Sequence, residues 1–330
     1  MHKRERLENT IAGHATDRPP VALWRHFPGD DQRPSDFARS LVEFQATYDW
    51  DMLLVAPYSA YSVMDYGAVF EWKGQLDGDR TLSSAAIARS LTWTELRPLD
   101  PQRGEHGKLL EVVRLLREDL HDRVPLVVML YSPLAQAERL AGRGAFLRDL
   151  RAYGDRLHTG LNTLTENTLR FMEALRRAGV DGICYVVEHA DVDRLAETEY
   201  RTFGLPYDQK LMGELPPAWW LNMLRLTAEM PMFNVTESLA LPVTLWRSSY
   251  NKPDLARGKS LVVGAVAGGL PTTSLQNDAV TTVRADARDA IQLTNGRRLI
   301  LMNEEPLLLS TPLANLRTVK AVVDSAKGAS

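Results

Sequence analysis

Two arginines, two histidines and several carboxylates each stand directly behind a short apolar run in this 330-residue chain. They are Arg25 and His26, Glu188 and His189, Glu237, Arg247, and the trio Asn303, Glu304 and Glu305, with Tyr58 and Tyr131 in equivalent places. Guanidinium groups bind carboxylates through paired hydrogen bonds, and imidazole and carboxyl groups move protons near neutral pH. Gathered at one mouth, such groups would bind a small or medium carboxylated, anionic metabolite and act on it. Arg25, His26, Tyr58, Tyr131, Glu188, Arg247, Asn303 and Glu304 are the candidate binding residues. His189, Glu305 and Glu237 are the candidates for proton transfer. Each has a structural reading beside the chemical one. Arg25 and Arg247 can serve only to neutralise Glu188, Glu237 or Glu305, and His26 can be a loop residue of the Phe27-Pro28-Gly29 turn.

The elements that would position these groups are eight apolar runs: Val21 to Trp24, Met52 to Val55, Leu126 to Leu130, Ile183 to Val187, Met232 to Val235, Val243 to Trp246, Leu261 to Val266 and Leu299 to Met302. Short continuous runs of this kind fit strands buried on both faces, as in a parallel sheet covered by helices. Helical spacing separates most of them. Leu161, Leu164, Thr168, Met172 and Leu175 form one buried face stopped by Gly179, and Leu316, Val319 and Val323 form another behind Thr311 as N-cap and Pro312 at the first helical position. Eight strand-and-helix units predict an α/β chain folded as a (β/α)8 TIM barrel, whose reactive groups sit past the strand ends. The stretch Tyr61 to Arg103, with an extra strand at Val69 to Trp72, reads as an insertion between the second and third strands. The six residues Thr236 to Leu241 are too few for a crossover helix, which predicts distortion there. Gly268-Gly269 reads as a tight turn, since neither a GxGxxG pattern nor a P-loop lysine accompanies it. Residues 1–330 read as one domain with mobile ends at Met1 to Lys3 and Lys327 to Ser330.

Composition narrows the function classes. With 45% hydrophobic residues, 25% charged and a net charge of -3, the chain has material for a large core but no basic stripe for nucleic acid. No apolar run approaches the roughly 20 residues that span a bilayer, so no membrane partner and a cytoplasmic location are expected. The single cysteine, Cys184, excludes an internal disulfide and any site built on two thiolates, and reads as a small core residue. Trp219 and Trp220 can belong to the core, in a helical pattern with Leu224, or to a subunit contact.

Four motifs, in order, resemble the uroporphyrinogen decarboxylase superfamily. They are Asp17-Arg18-Pro19-Pro20-Val21 leading to Trp24-Arg25, Glu199 through Asp208, Val266-Ala267-Gly268-Gly269-Leu270, and Thr311-Pro312-Leu313-Ala314-Asn315-Leu316. The resemblance implies a (β/α)8 barrel. It also implies one of two chemistries: cofactor-free porphyrinogen decarboxylation, or zinc-dependent methyl transfer between corrinoids and thiols or other acceptors. Matched residue by residue, Arg25 fills the first place of the decarboxylases' arginine pair and Gly29 the second. Tyr58 stands for their aspartate, Arg139 for their tyrosine and Glu305 for their final histidine. The methyltransferases' zinc-binding His and Cys have no counterparts in Asn234 through Leu239 or Asn303 through Glu305.

Three expectations follow. The first is a re-tooled lyase-type enzyme, decarboxylating or eliminating, without a cofactor, with Arg25 and Arg247 orienting the anion. The second is a methyltransferase-like enzyme whose divalent metal is held by Glu188, His189, Glu237, Glu304 or Glu305. The third is a non-catalytic scaffold with a homodimeric or heteromeric partner.

Overall fold

The computed structural model describes residues 1–250 and 253–326. Nine strands are formed: β1 Leu53–Val55, β2 Val69–Glu71, β3 Thr81–Ser84, β4 Leu126–Tyr131, β5 Gly182–Val187, β6 Met223–Leu226, β7 Val243–Trp246, β8 Ala265–Leu270 and β9 Leu299–Asn303. Seven make one parallel sheet in the order β1-β4-β5-β6-β7-β8-β9, and β2 and β3 form a separate antiparallel hairpin in the chain between β1 and β4. All residues of the seven sheet strands are buried, which explains why most of their sequences read as largely apolar runs rather than alternating ones, β6 with its buried Arg225 being the exception. Residues 20–22 bond to both sheet edges. Ala22 donates to Leu301 at 3.0 Å, Leu301 donates to Pro20 at 2.9 Å, and Asp51, just before β1, donates to Val21 at 2.9 Å. The first expected strand, Val21 to Trp24, is thus reduced to a single parallel bridge, Val21 to Leu301.

The helices behave largely as their spacing predicts. Gly154–Ala178 buries Leu161, Leu164, Thr168, Met172 and Leu175 and ends on Gly179, whose left-handed φ of 89° admits the Schellman-type cap. Leu313–Ser325 buries Leu316, Val319 and Val323, but Pro312 occupies the cap position and the Thr311 hydroxyl is buried without a partner.

Five expectations are corrected. Leu261 to Val266 is strand only in its last two residues: β8 begins at Ala265, and Leu261 to Gly264 form the turn that leads into it. Met232 to Val235 is not a strand: Phe233–Thr236 is one helical turn, and the strand lies upstream at β6. Gly268 and Gly269 lie inside β8 rather than in a turn after it, at φ 131° and 85°. A Cβ on Gly269 would sit 2.6 Å from Ala290 and 2.8 Å from Leu255, so glycine is required by packing as well as by backbone conformation. Met1 to Lys3 is tied down: the Met1 amine lies 3.5 Å from Asp17, and the Lys3 ammonium bonds Asp49 and the Trp50 carbonyl. Trp219 is buried, as core packing requires, but Leu224 belongs to β6 and no helix joins them. The other expected mobile end, Lys327 to Ser330, lies outside the described residues.

Candidate functional site

The C-terminal ends of the sheet strands carry a band of ion pairs. On the helix Pro133–Ala141, capped by the Ser132 hydroxyl and opened by Pro133, Glu138 and Arg139 face the end of β5. Arg139 forks onto Glu188 at 2.8 and 3.0 Å and lies 4.3 Å over the Tyr131 ring. Burial alone would raise the Glu188 carboxyl, but Arg139 outweighs it and holds the group down at about 2. Tyr131 is held protonated by burial. Next to this pair, His189 Nε2 meets Glu138 at 2.5 Å while its ring packs on Phe146 and its Nδ1 is buried without a partner. Burial raises the Glu138 carboxyl and the bond to His189 pulls it below its ordinary value. Arg194 approaches Glu138 to 3.6 Å and Glu188 to 4.0 Å.

On the next strand of the sheet, Arg225 rises from β6 with only 5% of its surface exposed. Its Nη2 donates to Glu305 at 3.0 Å and to the Glu304 carbonyl at 3.3 Å, and its guanidinium lies 4.9 Å over Trp24. Arg247, after β7, brings its Nε to 3.6 Å from the other Glu305 oxygen and pairs through Nη1 with Glu229. The Nε atoms of both arginines are buried with no hydrogen-bond acceptor. Sequence reasoning misses Arg225 because it places the fifth strand at Met232. A buried arginine interrupts the apolar run that would mark the true strand.

Other candidates are framework. Asn303 acts as an extra backbone unit: its Oδ1 accepts from Trp24 N–H at 2.9 Å, and its Nδ2 donates to the Trp24 carbonyl at 2.9 Å and the Glu305 carbonyl at 2.7 Å. Glu304, 1% exposed, accepts from the hydroxyls of Ser248 and Ser249 and from the Ser249 and Gly269 amides, clamping the ends of β7 and β8 together. Arg25 joins no carboxylate among the described residues. Its guanidinium lies 5.4 Å over Phe27, whose ring packs against Phe37 and Phe44 of the helix Pro34–Tyr48. Glu237 is exposed and lines a small hollow with Leu224, Thr244 and Leu261, apart from the ion pairs. His26 is buried, edge-on to Trp24 and 3.2 Å from the Ala56 carbonyl. Tyr58 donates to Glu105 at 2.7 Å beneath the Arg80 guanidinium, which bonds Asp31. The expected set thus divides: Tyr131, Glu188, His189, Arg247 and Glu305 join the band, while Arg25 and Glu237 lie away from it.

A thiolate zinc site does not fit these residues. Cys184 is buried within β5, its thiol pushed up to about 12 by burial, and β6 carries neither histidine nor cysteine. Among the described residues no three His, Cys, Asp or Glu side chains are grouped to hold a metal ion, so the carboxylate and histidine alternative lacks a ligand set there. Nor is any described helix long and apolar enough to cross a membrane.

Comparison with known proteins agrees with this frame. Two solved structures share the fold: a methyltransferase from Methanosarcina mazei, 17% identical, covers 98% of both chains at a TM-score of 0.82, and a B12-independent methionine synthase from Shewanella sp. W3-18-1, 10% identical, covers 92% of this chain and 96% of its own at 0.61. The uroporphyrinogen decarboxylase of Xylella fastidiosa (strain Temecula1 / ATCC 700964) is 31% identical over 113 residues, a match spanning 32% of this chain and 31% of that protein. Residues 84–327 match the uroporphyrinogen decarboxylase (URO-D) family along most of the chain, and the chain belongs to that family.

Proposed function

We propose that this protein is an enzyme that binds a small carboxylated metabolite at the strand ends and acts on it by a lyase-type step, decarboxylation or elimination, without a bound metal. One observation carries the reading: Arg139, Arg225 and Arg247 bring three guanidinium groups to the ends of neighbouring strands, where they already hold carboxylates. His189, oriented by Glu138, is the side chain of this rim suited to proton transfer. The frame we infer is a closed (β/α)8 barrel with residues 20–24 as its eighth stave, supported by their hydrogen bonds to both sheet edges. Subunit association and a cytoplasmic location stay part of this proposal.

Turnover of a panel of di- and tricarboxylates, followed by release of carbon dioxide and by NMR of the products, tests it. Arg225→Ala is expected to reduce kcat/KM by about 100-fold for any substrate found, the loss of a charge-assisted contact at the substrate. Turnover unaffected by that change overturns the assignment. The likeness to the Methanosarcina mazei methyltransferase along 98% of both chains favours a second reading, methyl transfer. A methyl group gained by a thiol acceptor, with no product from the carboxylate panel, would decide for it.

A further inference from the structure

We propose that Glu305 is an internal stand-in for the substrate's carboxylate, a latch that occupies the Arg225 and Arg247 guanidinium groups until a carboxylated ligand displaces it. The inference rests on the anion-binding reading above and adds to it the place where the carboxylate docks.

Three features point to this residue. The Glu305 carboxylate spans the two arginines, one oxygen 3.0 Å from Arg225 Nη2 and the other 3.6 Å from Arg247 Nε. Only the first distance is a hydrogen bond, and the Nε–H groups of both arginines are left buried with no acceptor. A carboxylate presented in the plane of either guanidinium would engage Nε and Nη together, the forked geometry that Glu305 does not reach from where it is attached.

The third feature is how the residue is held. Its backbone is pinned: the Glu305 amide donates to the Thr272 hydroxyl at 3.3 Å, and its carbonyl accepts from Thr272 at 3.0 Å and from Asn303 at 2.7 Å. Its side chain is 33% exposed, whereas that of Arg225 is 6% exposed. The arginine is therefore fixed and desolvated, and the carboxylate beside it is free to turn outward to water. The alternative partner of Arg247, Glu229, is 57% exposed and sits on the rim, so it can keep that arginine paired while the latch opens.

An internal carboxylate at this position competes with an external one, so removing it should strengthen binding. The full chain and its Glu305→Ala and Glu305→Gln variants are titrated with succinate and with citrate, by calorimetry and by intrinsic tryptophan fluorescence, to which Trp24, whose ring underlies Arg225, contributes. Glu305→Ala is expected to bind at least one of the two about tenfold tighter than the unaltered chain, Glu305→Gln to follow in the same direction, and Arg225→Ala in the Glu305→Ala background to abolish the gain. Thermal unfolding of each variant establishes that it is folded, and the Gln variant, which keeps the shape, carries the test if the Ala variant is not. Equal or weaker binding in the folded variants overturns the latch. Because binding is read without turnover, tighter binding with no lyase or transfer product would keep the latch and remove the lyase reading, and turnover with unchanged binding would do the reverse.

Discussion

A single buried carboxyl accounts for one of the sequence motifs in physical terms. Asp208 accepts hydrogen bonds from Tyr185 of β5 at 2.5 Å and from Tyr200 at 2.7 Å, so the stretch Glu199 through Asp208 pins two helices to the sheet and lines no part of the mouth. Burial pushes this carboxyl up to about 7. Its unfolded counterpart loses its proton near 3.8, so between those values the folded chain holds a proton that the unfolded chain has released. Stability therefore falls as pH rises through this window, and the cost is complete above about 7. Asp208→Asn cannot ionise and should lack that fall. Urea midpoints from about pH 5 to about 8.5 should show the variant overtaking the unaltered protein toward the alkaline end, by on the order of a few kcal/mol, and parallel curves would refute the assignment. Single residues were legible where they ended a strand, as with Glu188, Arg247 and Glu305. They were opaque where a side chain's direction decides the role, as when Arg25 turns toward Phe27 while Asn303 and Glu304 bond back to the frame.

At the scale of elements, the strands that read correctly are those whose runs carry no charged residue. Val243 to Trp246 is β7 to the residue, and Leu126 to Leu130 and Ile183 to Val187 fall short by one. The β6 strand is hidden because a charged residue, Arg225, occupies its third position, and Met232 to Val235, interrupted only by the neutral Asn234, stands out in its place. A charged side chain buried in a strand removes the signal that would locate the strand. The boundary of β8 is obscured for another reason: Gly268 and Gly269, turn-like in sequence, are strand residues whose missing side chains admit the helix Val280–Leu293 at Ala290 and the loop residue Glu304. Gly269→Ala should cost about 2–3 kcal/mol, because it combines a left-handed φ with contacts under 3 Å to Ala290 and Leu255. Chemical denaturation would show it as a lower midpoint at unchanged slope. A loss below about 0.5 kcal/mol would mean that the helix shifts to make room.

For the molecule as a whole, the face opposite the candidate site holds the sheet edges together. Asp51, fully buried, accepts from Arg6 at 2.6 Å, from Arg18 at 2.7 Å and from the Val21 amide at 2.8 Å, so one carboxylate joins the helix Lys3–Ala12, the bridging segment at residues 20–22 and the approach to β1. Arg6 in turn forks onto Asp17, and Arg18 reaches Asp324 on the last helix, which ties both ends of the chain into the same network. None of this was visible as periodicity, since ion pairs between distant segments leave no local pattern. The two ends of the sheet therefore differ in kind, with unsatisfied arginine nitrogens where the strands end and an ion-pair network where they start. Asp51→Ala would leave two guanidinium groups and the Val21 amide without their shared acceptor and should cost about 3–5 kcal/mol. Because the lost contacts span both sheet edges, the loss should appear as faster hydrogen exchange at Val21, Ala22 and Leu301 before global unfolding. Unchanged exchange at those amides would mean that packing of residues 20–24 alone holds the edges together. Acid should act on the same network through Asp17, whose bond to Arg6 lowers its carboxyl to about 2. That contribution is present above the unfolded value of 3.8 and is lost as pH falls through about 2.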